Sequence, residues 1–128
     1  MPGEPRAAYL ESEVLTASRE RLVVVSYDWI LRLLGRACRG LEQGDRAEKH
    51  AGLAKAEGLL IELRRSLDFG PAPELAGNLA RIYSFVIDEL ARADAEDNAG
   101  RIRAVMGLVG ELRETWAEAA KTVAGAGG

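Results

Sequence analysis

The chain has 128 residues, nearly half of them apolar and only 5% aromatic, with 17 Lys and Arg against 20 Asp and Glu for a formal charge of −3. A net acidic chain without a polybasic cluster argues against recognition that works by neutralising phosphates, whether of nucleic acid or of an anionic membrane surface. The longest apolar run, Leu22–Val25, is far below the ~20 residues a membrane span needs, and the single Cys38 excludes an internal disulfide.

Length and composition predict one domain of close-packed helices. No apolar run follows the N-terminal charges, so no signal peptide is read, and a cytoplasmic protein is expected. Residues 1–8, with two prolines and a glycine, predict a disordered lead-in, and the terminal residues 124–128 a flexible tail. The bundle domain is expected over 9–123.

Residues 9–18 form a short arm with Tyr9, Leu10, Val14 and Leu15 as its apolar points. The arm either seals one end of the domain or covers a binding groove and is displaceable. Ser18 is a suitable N-cap for a first helix from about Arg19 to Leu41, with Glu20 in its first turn. Its apolar residues spread over roughly 220°, wider than the ~100° stripe of an ordinary surface helix. Leu22, Trp29, Ile30, Leu33, Ala37 and Leu41 mark the core side, Val23, Tyr27 and Leu34 lie beside them, and Val24 and Leu31 sit at the edge. Either neighbours embrace this helix on several sides or part of its surface awaits a partner. Cys38 lies in the apolar arc and reads as a small hydrophobe.

Gly44 closes that helix, and Asp45 with Glu48 has the spacing of a variant capping box. The second helix should reach about Leu67. It carries a heavy stripe, Leu53, Ala56, Leu60, Leu63 and Leu67, and a second strip of mostly small residues, Ala47, Ala51, Ala54, Gly58 and Ile61. Gly58 in mid-helix costs about 1 kcal/mol relative to Ala, so the strip predicts close approach of another backbone. That backbone is either a helix of the same chain or a foreign helix docking in a shallow groove.

The segment Asp68–Pro73 is a firm break, with Pro73 or Glu74 opening the third helix. Leu75, Leu79, Ile82, Val86, Leu90 and Ala93 form its stripe, widened by Tyr83 and Ile87. Phe85 falls about a quarter-turn outside it and is a candidate contact residue. After an acidic break at Asp94–Asn98, a fourth helix runs to about Val123 on Ile102, Val105, Val109, Leu112, Trp116 and Ala119. Residues 78–116 therefore read as a helical hairpin on which the rest should pack.

Catalytic chemistry finds little support. A di-metal carboxylate bundle needs paired Glu-x-x-His motifs, and His50, the lone histidine, has no Glu three residues before it. Cys38 and His50 fall on different helices without an orienting pattern. Arg32, Arg36 and Arg39 share a polar face of the first helix rather than pointing inward to hold an anionic substrate. No catalytic, cofactor or metal residue is assigned.

Several pieces in order resemble the FliS family of flagellar secretion chaperones. The arm is similar to that family's opening, with Tyr9 followed by Glu13-Val14-Leu15-Thr16-Ala17-Ser18. Tyr27-Asp28 resembles its aromatic–Asp pair. Lys55-Ala56, Ile61-Glu62-Leu63 and Leu67-Asp68 resemble its second helix, and Asn78-Leu79 with Tyr83-Ser84-Phe85 its third. Asp97, Leu108, Leu112 and Trp116 resemble its fourth. Trp29, Gly58, Pro71 with Pro73, and Asp94 depart from the pattern.

The resemblance implies an all-α, antiparallel four-helix bundle with a short N-terminal arm that acts as a cofactor-free cytoplasmic chaperone. Its client would be the disordered C-terminal segment of flagellin, which it would shield from premature polymerisation and pass to the flagellar type III export apparatus. A co-chaperone is a further partner, and a monomer or weak dimer is expected. The expected partner-binding residues are Tyr9, Leu10, Ala54, Lys55, Gly58, Ile61, Asn78, Ile82 and Phe85. The alternative is a non-enzymatic helical adaptor that oligomerises or binds another amphipathic helix.

Overall fold

The computed structural model describes residues 18–127, and side chains from 18 to 123. Tyr9, Leu10, the rest of the arm before Ser18 and the lead-in at 1–8 lie outside the described residues. Four helices follow one another: α1 (Arg19–Gln43), α2 (Arg46–Arg65), α3 (Pro73–Glu96) and α4 (Ala99–Gly127). The architecture is the expected all-α four-helix bundle.

Local chemistry sets the boundaries. The Ser18 hydroxyl accepts from the Arg21 amide at the start of α1. Gly44 takes a left-handed φ of 70° to end it, a conformation glycine adopts without a Cβ penalty. Asp45 caps α2 by accepting from the Glu48 amide at 3.1 Å, but the box stays half-built. The Glu48 carboxylate does not reach back to Asp45 and instead takes two hydrogen bonds from Arg36 of α1, at 2.6 and 2.9 Å. At the next break α2 ends at Arg65, two residues short of Leu67, and Pro73 opens α3 as expected. The acidic break is narrower than the sequence suggested. Asp94 belongs to α3, and only Asp97, at φ 50°, and Asn98, which caps the Arg101 amide, separate the last two helices.

The helices form a ring in which α1 touches α2 and α4, and α3 touches the same two. Arg113 pairs with Asp28 and Arg103 with Glu42, so α4 runs antiparallel to α1. The intimate contacts are those of α1; the α3–α4 pair is the loosest of the four. This corrects the expectation that the hairpin at 78–116 is the centre. The centre is α1, because its small residues admit neighbouring backbone. A Cβ on Gly52 of α2 would stand 2.6 Å from the Leu33 carbonyl, and one on Gly40 of α1 would stand 2.6 Å from the Lys49 amide.

The core joins Val24, Tyr27, Ile30, Leu34 and Ala37 of α1 to Leu53, Ala56 and Leu60 of α2. Leu79, Tyr83, Val86 and Leu90 enter from α3, and Ile102, Val105 and Val109 from α4. Each large side chain fully buried contributes about 1.5–3 kcal/mol. Two assignments on α1 are reversed: Val24, expected at the edge, is wholly buried, whereas Trp29, expected inside, is 37% exposed. The wide apolar arc is explained by α2 on one side and α4 on the other. Leu75 does not join the α3 stripe but stays exposed near the first turn. Cys38 is buried, which pushes its thiol pKa up.

One end of the ring is locked by a buried cation. Lys49 of α2 is 5% exposed. Its Nζ donates to the Asp94 carbonyl at 3.1 Å and meets Asp94 Oδ1 at 2.9 Å and Asp97 Oδ1 at 2.5 Å. Those contacts, the Asp97 bond first, raise the Lys49 pKa, and Lys49 holds both carboxyls below their usual range. Depressed carboxylates stabilise the fold above their unfolded pKa and lose that contribution as pH falls through the folded values. The lock should therefore weaken below about pH 4. Replacing Lys49 with Met is expected to lower Tm by about 5 °C at neutral pH and to flatten its decline in acid. Thermal melts across the acid range check this; an unchanged acid slope would mean that the lock carries none of it.

Candidate functional site

The sequence-derived candidates on the described residues fall on α2 and α3. On α2, Arg64 donates to Ser84 of α3 at 3.0 Å, and His50 meets Asp94 at 3.3 Å. These contacts mark the side of α2 that faces α3. At about 100° per residue, Ile61 lies just beyond that seam, followed outward by Ala54 and Gly58. Ala54, Lys55 and Gly58 are exposed, Ile61 is half-buried, and a Cβ on Gly58 would meet nothing within 4 Å. Of the two readings of this strip, close packing by a helix of the same chain is therefore excluded within 18–123. The backbone approach that small residues allow is made at Gly52 instead. Lys55 borders the strip on its α1 side, where its charge reaches Glu48.

On α3 the candidates occupy the other flank. Glu89 takes hydrogen bonds from Arg101 of α4 at 2.9 and 3.1 Å, and Ile82, seven residues earlier, shares that side. Ile82 is half-buried against the core, Asn78 is exposed and accepts from Arg81, and Phe85 is 56% exposed at the outermost position. Across the seam, Leu108 and Leu112 of α4 are also only partly buried. The candidates thus form two strips with α3 between them, and Phe85 stands on the ridge. They do not converge on one pocket.

A separate feature was not read from the sequence. The start of α1, the end of α2 and the start of α3 splay around an open apolar cavity of about 490 Å³. Leu22 and Val23, Leu59, Leu63 and Leu67, Leu75 and Leu79, and Trp116 of α4 line it. None of the candidates on the described residues does. Its sequence signal was the apolar excess at the start of α1 together with the leucines at the end of α2. Periodicity leaves open whether the first is embraced by neighbours or awaits a partner, and places the second in the core stripe, because it does not show where helices diverge.

Beneath the cavity Tyr83 meets Tyr27 through a 2.6 Å contact between hydroxyls, both rings buried. Among the described residues no group of three His, Cys, Asp or Glu side chains could hold a metal, and no helix is long and apolar enough to cross a membrane. What the described surface offers is exposed or half-buried apolar side chains on two strips, and an end cavity. The class that the fold defines is the all-α four-helix bundle.

The chain belongs to the FliS family: the family model described as flagellar protein FliS matches residues 2–123. It is 34% identical to the flagellar secretion chaperone FliS of Salmonella typhimurium over 84% of this chain and 80% of that protein. It is 30% identical to the protein of that description from Escherichia coli, over 85% and 81%. With its counterpart in Bacillus subtilis it shares 27% identity, over 90% and 85%. The relatives are chaperones, which is not an enzyme class.

Proposed function

We propose that this chain is a flagellar export chaperone that binds the disordered C-terminal segment of flagellin. It keeps that segment from polymerising prematurely and delivers it, in the cytoplasm, to the flagellar type III export apparatus. The observation that supports this most is the match to secretion chaperones over nearly the whole chain, combined with uncovered apolar strips on both flanks of α3. A client that folds on binding meets an ordering cost of about 2–5 kcal/mol. One side chain contributes about 1.5–3 kcal/mol when fully buried, so several anchors are needed. Ile61, Ile82 and Phe85 supply them, Ala54 and Gly58 let a client backbone come close, and Asn78 and Lys55 supply polar contacts at the margins. In this reading Tyr9 and Leu10 of the arm cover part of the surface until the client arrives. Because the strips lie on opposite sides of α3, the client wraps around that helix instead of filling a single groove.

The direct test is calorimetric titration with the C-terminal segment of flagellin from the same organism, followed by circular dichroism of the mixture. Saturable binding with added helicity is expected; no binding by the folded protein would reject the reading in favour of an adaptor. Two substitutions locate the surface. Phe85→Ser should weaken the segment by about tenfold, the loss of one exposed anchor. Gly58→Leu should also weaken it while leaving helicity intact, since space around that Cβ is open. Unchanged affinity in Gly58→Leu would remove α2 from the site.

A further inference from the structure

A second surface lies on the outward side of α1, along its seam with α2, and apart from Lys55 at its margin the client reading does not use it. Trp29, Arg32, Arg36 and Arg39 follow at steps of three and four and so share one face of the helix. Trp29 is 37% exposed, and the Arg32 guanidinium stands 5.3 Å from its ring centroid. Arg36 is held by Glu48, and the same carboxylate also feels the charges of Lys55 and Arg39. Three cations therefore surround one carboxylate, with Asp45 the next beyond it. Arg32 and Arg39 have no ion-pair partner among the described residues. This cationic excess sits on a chain whose formal charge is −3.

We infer that this face is a docking site for an acidic amphipathic segment of a partner protein, distinct from the client. Tryptophan and arginine are the residue types that most often anchor protein interfaces. The stacked Arg32 guanidinium is already oriented, and a planar fork matches a carboxylate through two parallel hydrogen bonds. Charge complementarity selects the occupant: an acidic segment neutralises the excess around Glu48, while Trp29 packs on its apolar side. An anionic lipid surface suits the face less well. Membrane recruitment takes a cluster of about four to eight Lys or Arg free of acidic neighbours, whereas here Arg36 is already paired with Glu48 and Asp45 lies close by.

The test does not rest on the flagellin reading. The full chain, labelled with ¹⁵N, is titrated with a synthetic amphipathic peptide of Glu, Leu and Ala and with the same peptide carrying Gln for every Glu. The expected result is a saturable shift of the Trp29 indole resonance by the acidic peptide and about tenfold weaker binding of the Gln peptide. The doubly reversed Arg32→Glu, Arg39→Glu chain should lose the acidic peptide by a similar factor at unchanged helicity and melting temperature. Both residues are exposed, so the fold is not at risk. Saturating flagellin segment should leave the shift intact. The inference is overturned if the acidic peptide fails to bind, if Gln and Glu peptides bind alike, or if the reversed chain binds normally. It is also overturned if the flagellin segment competes, if phosphatidylglycerol vesicles bind where the peptide does not, or if the face instead mediates self-association in sedimentation.

Discussion

Gly52→Ala is expected to destabilise the protein by about 2–3 kcal/mol, lowering Tm by roughly 10 °C. The added Cβ would fall 2.6 Å from the Leu33 carbonyl oxygen, 3.0 Å from the Ala37 amide nitrogen and 3.2 Å from the Ala37 Cβ. Two of the three are backbone atoms, so no side-chain rotation relieves the clash. The α1–α2 pair must separate along its closest line, loosening the contacts of Leu34, Leu53 and Ala56 on either side. Gly58→Ala, six residues along the same helix, is the internal control. With nothing within 4 Å, it gains helix propensity and should stabilise by about 0.5–1 kcal/mol. Opposite signs in denaturant unfolding of the two variants would verify the packing; equal signs would show that α1 and α2 do not meet at Gly52.

Tyr27→Phe alone should cost about 1–3 kcal/mol. Tyr27 is wholly buried and Tyr83 is 2% exposed, so removing one hydroxyl leaves the other without its 2.6 Å partner. Tyr83→Phe should cost less, because the Tyr27 hydroxyl keeps the Trp116 indole as a partner. The double Phe variant should be no worse than Tyr27→Phe, because it removes the orphaned Tyr83 hydroxyl together with the bond. A double-mutant cycle that came out additive would mean that the hydroxyls do not interact. Burial first, and for Tyr27 also the bond to Tyr83, pushes both phenol pKa values up. A group with a raised folded pKa that is neutral when protonated stabilises the fold below its unfolded value and loses that contribution as pH rises. The protein should therefore lose stability above about pH 10, and the double Phe variant should not share that part of the loss.

The caps were legible because each is a local reaction of side chain with backbone: Ser18, Asp45 and Gly44 do what their chemistry dictates. The fourfold helical period was legible for the same reason. The centre of the bundle was not. Regular spacing between Leu79 and Trp116 reports how amphipathic two helices are, whereas the closeness of a pair depends on where small residues oppose backbone. Gly40, Gly52 and Gly58 are identical in sequence terms, and only their angular positions relative to a neighbour separate a tight contact from open surface. Trp29 and Val24 exchange places for a related reason: periodicity alone does not centre the arc of α1, whose far side α4 covers. Phe85 was placed correctly because a lone aromatic off the stripe has nowhere to be buried, whichever partners the helix takes. The end cavity arises from the divergence of three helices, a property of no single one of them.

The closure of the ring by α1 and α4 has a consequence for the order in which the chain acquires structure. The α1–α2 hairpin is joined by a short turn and contains the tightest packing, so its loop-closure entropy is small and it can form early. Its other face, with Val24 and Leu31, is covered only when α4, beyond both α2 and α3 in the chain, returns. During synthesis from the N-terminus, α1 therefore emerges with the apolar side that meets α4 bare, and that side stays so until α4 has left the ribosome. The last helix made is the one that completes the first.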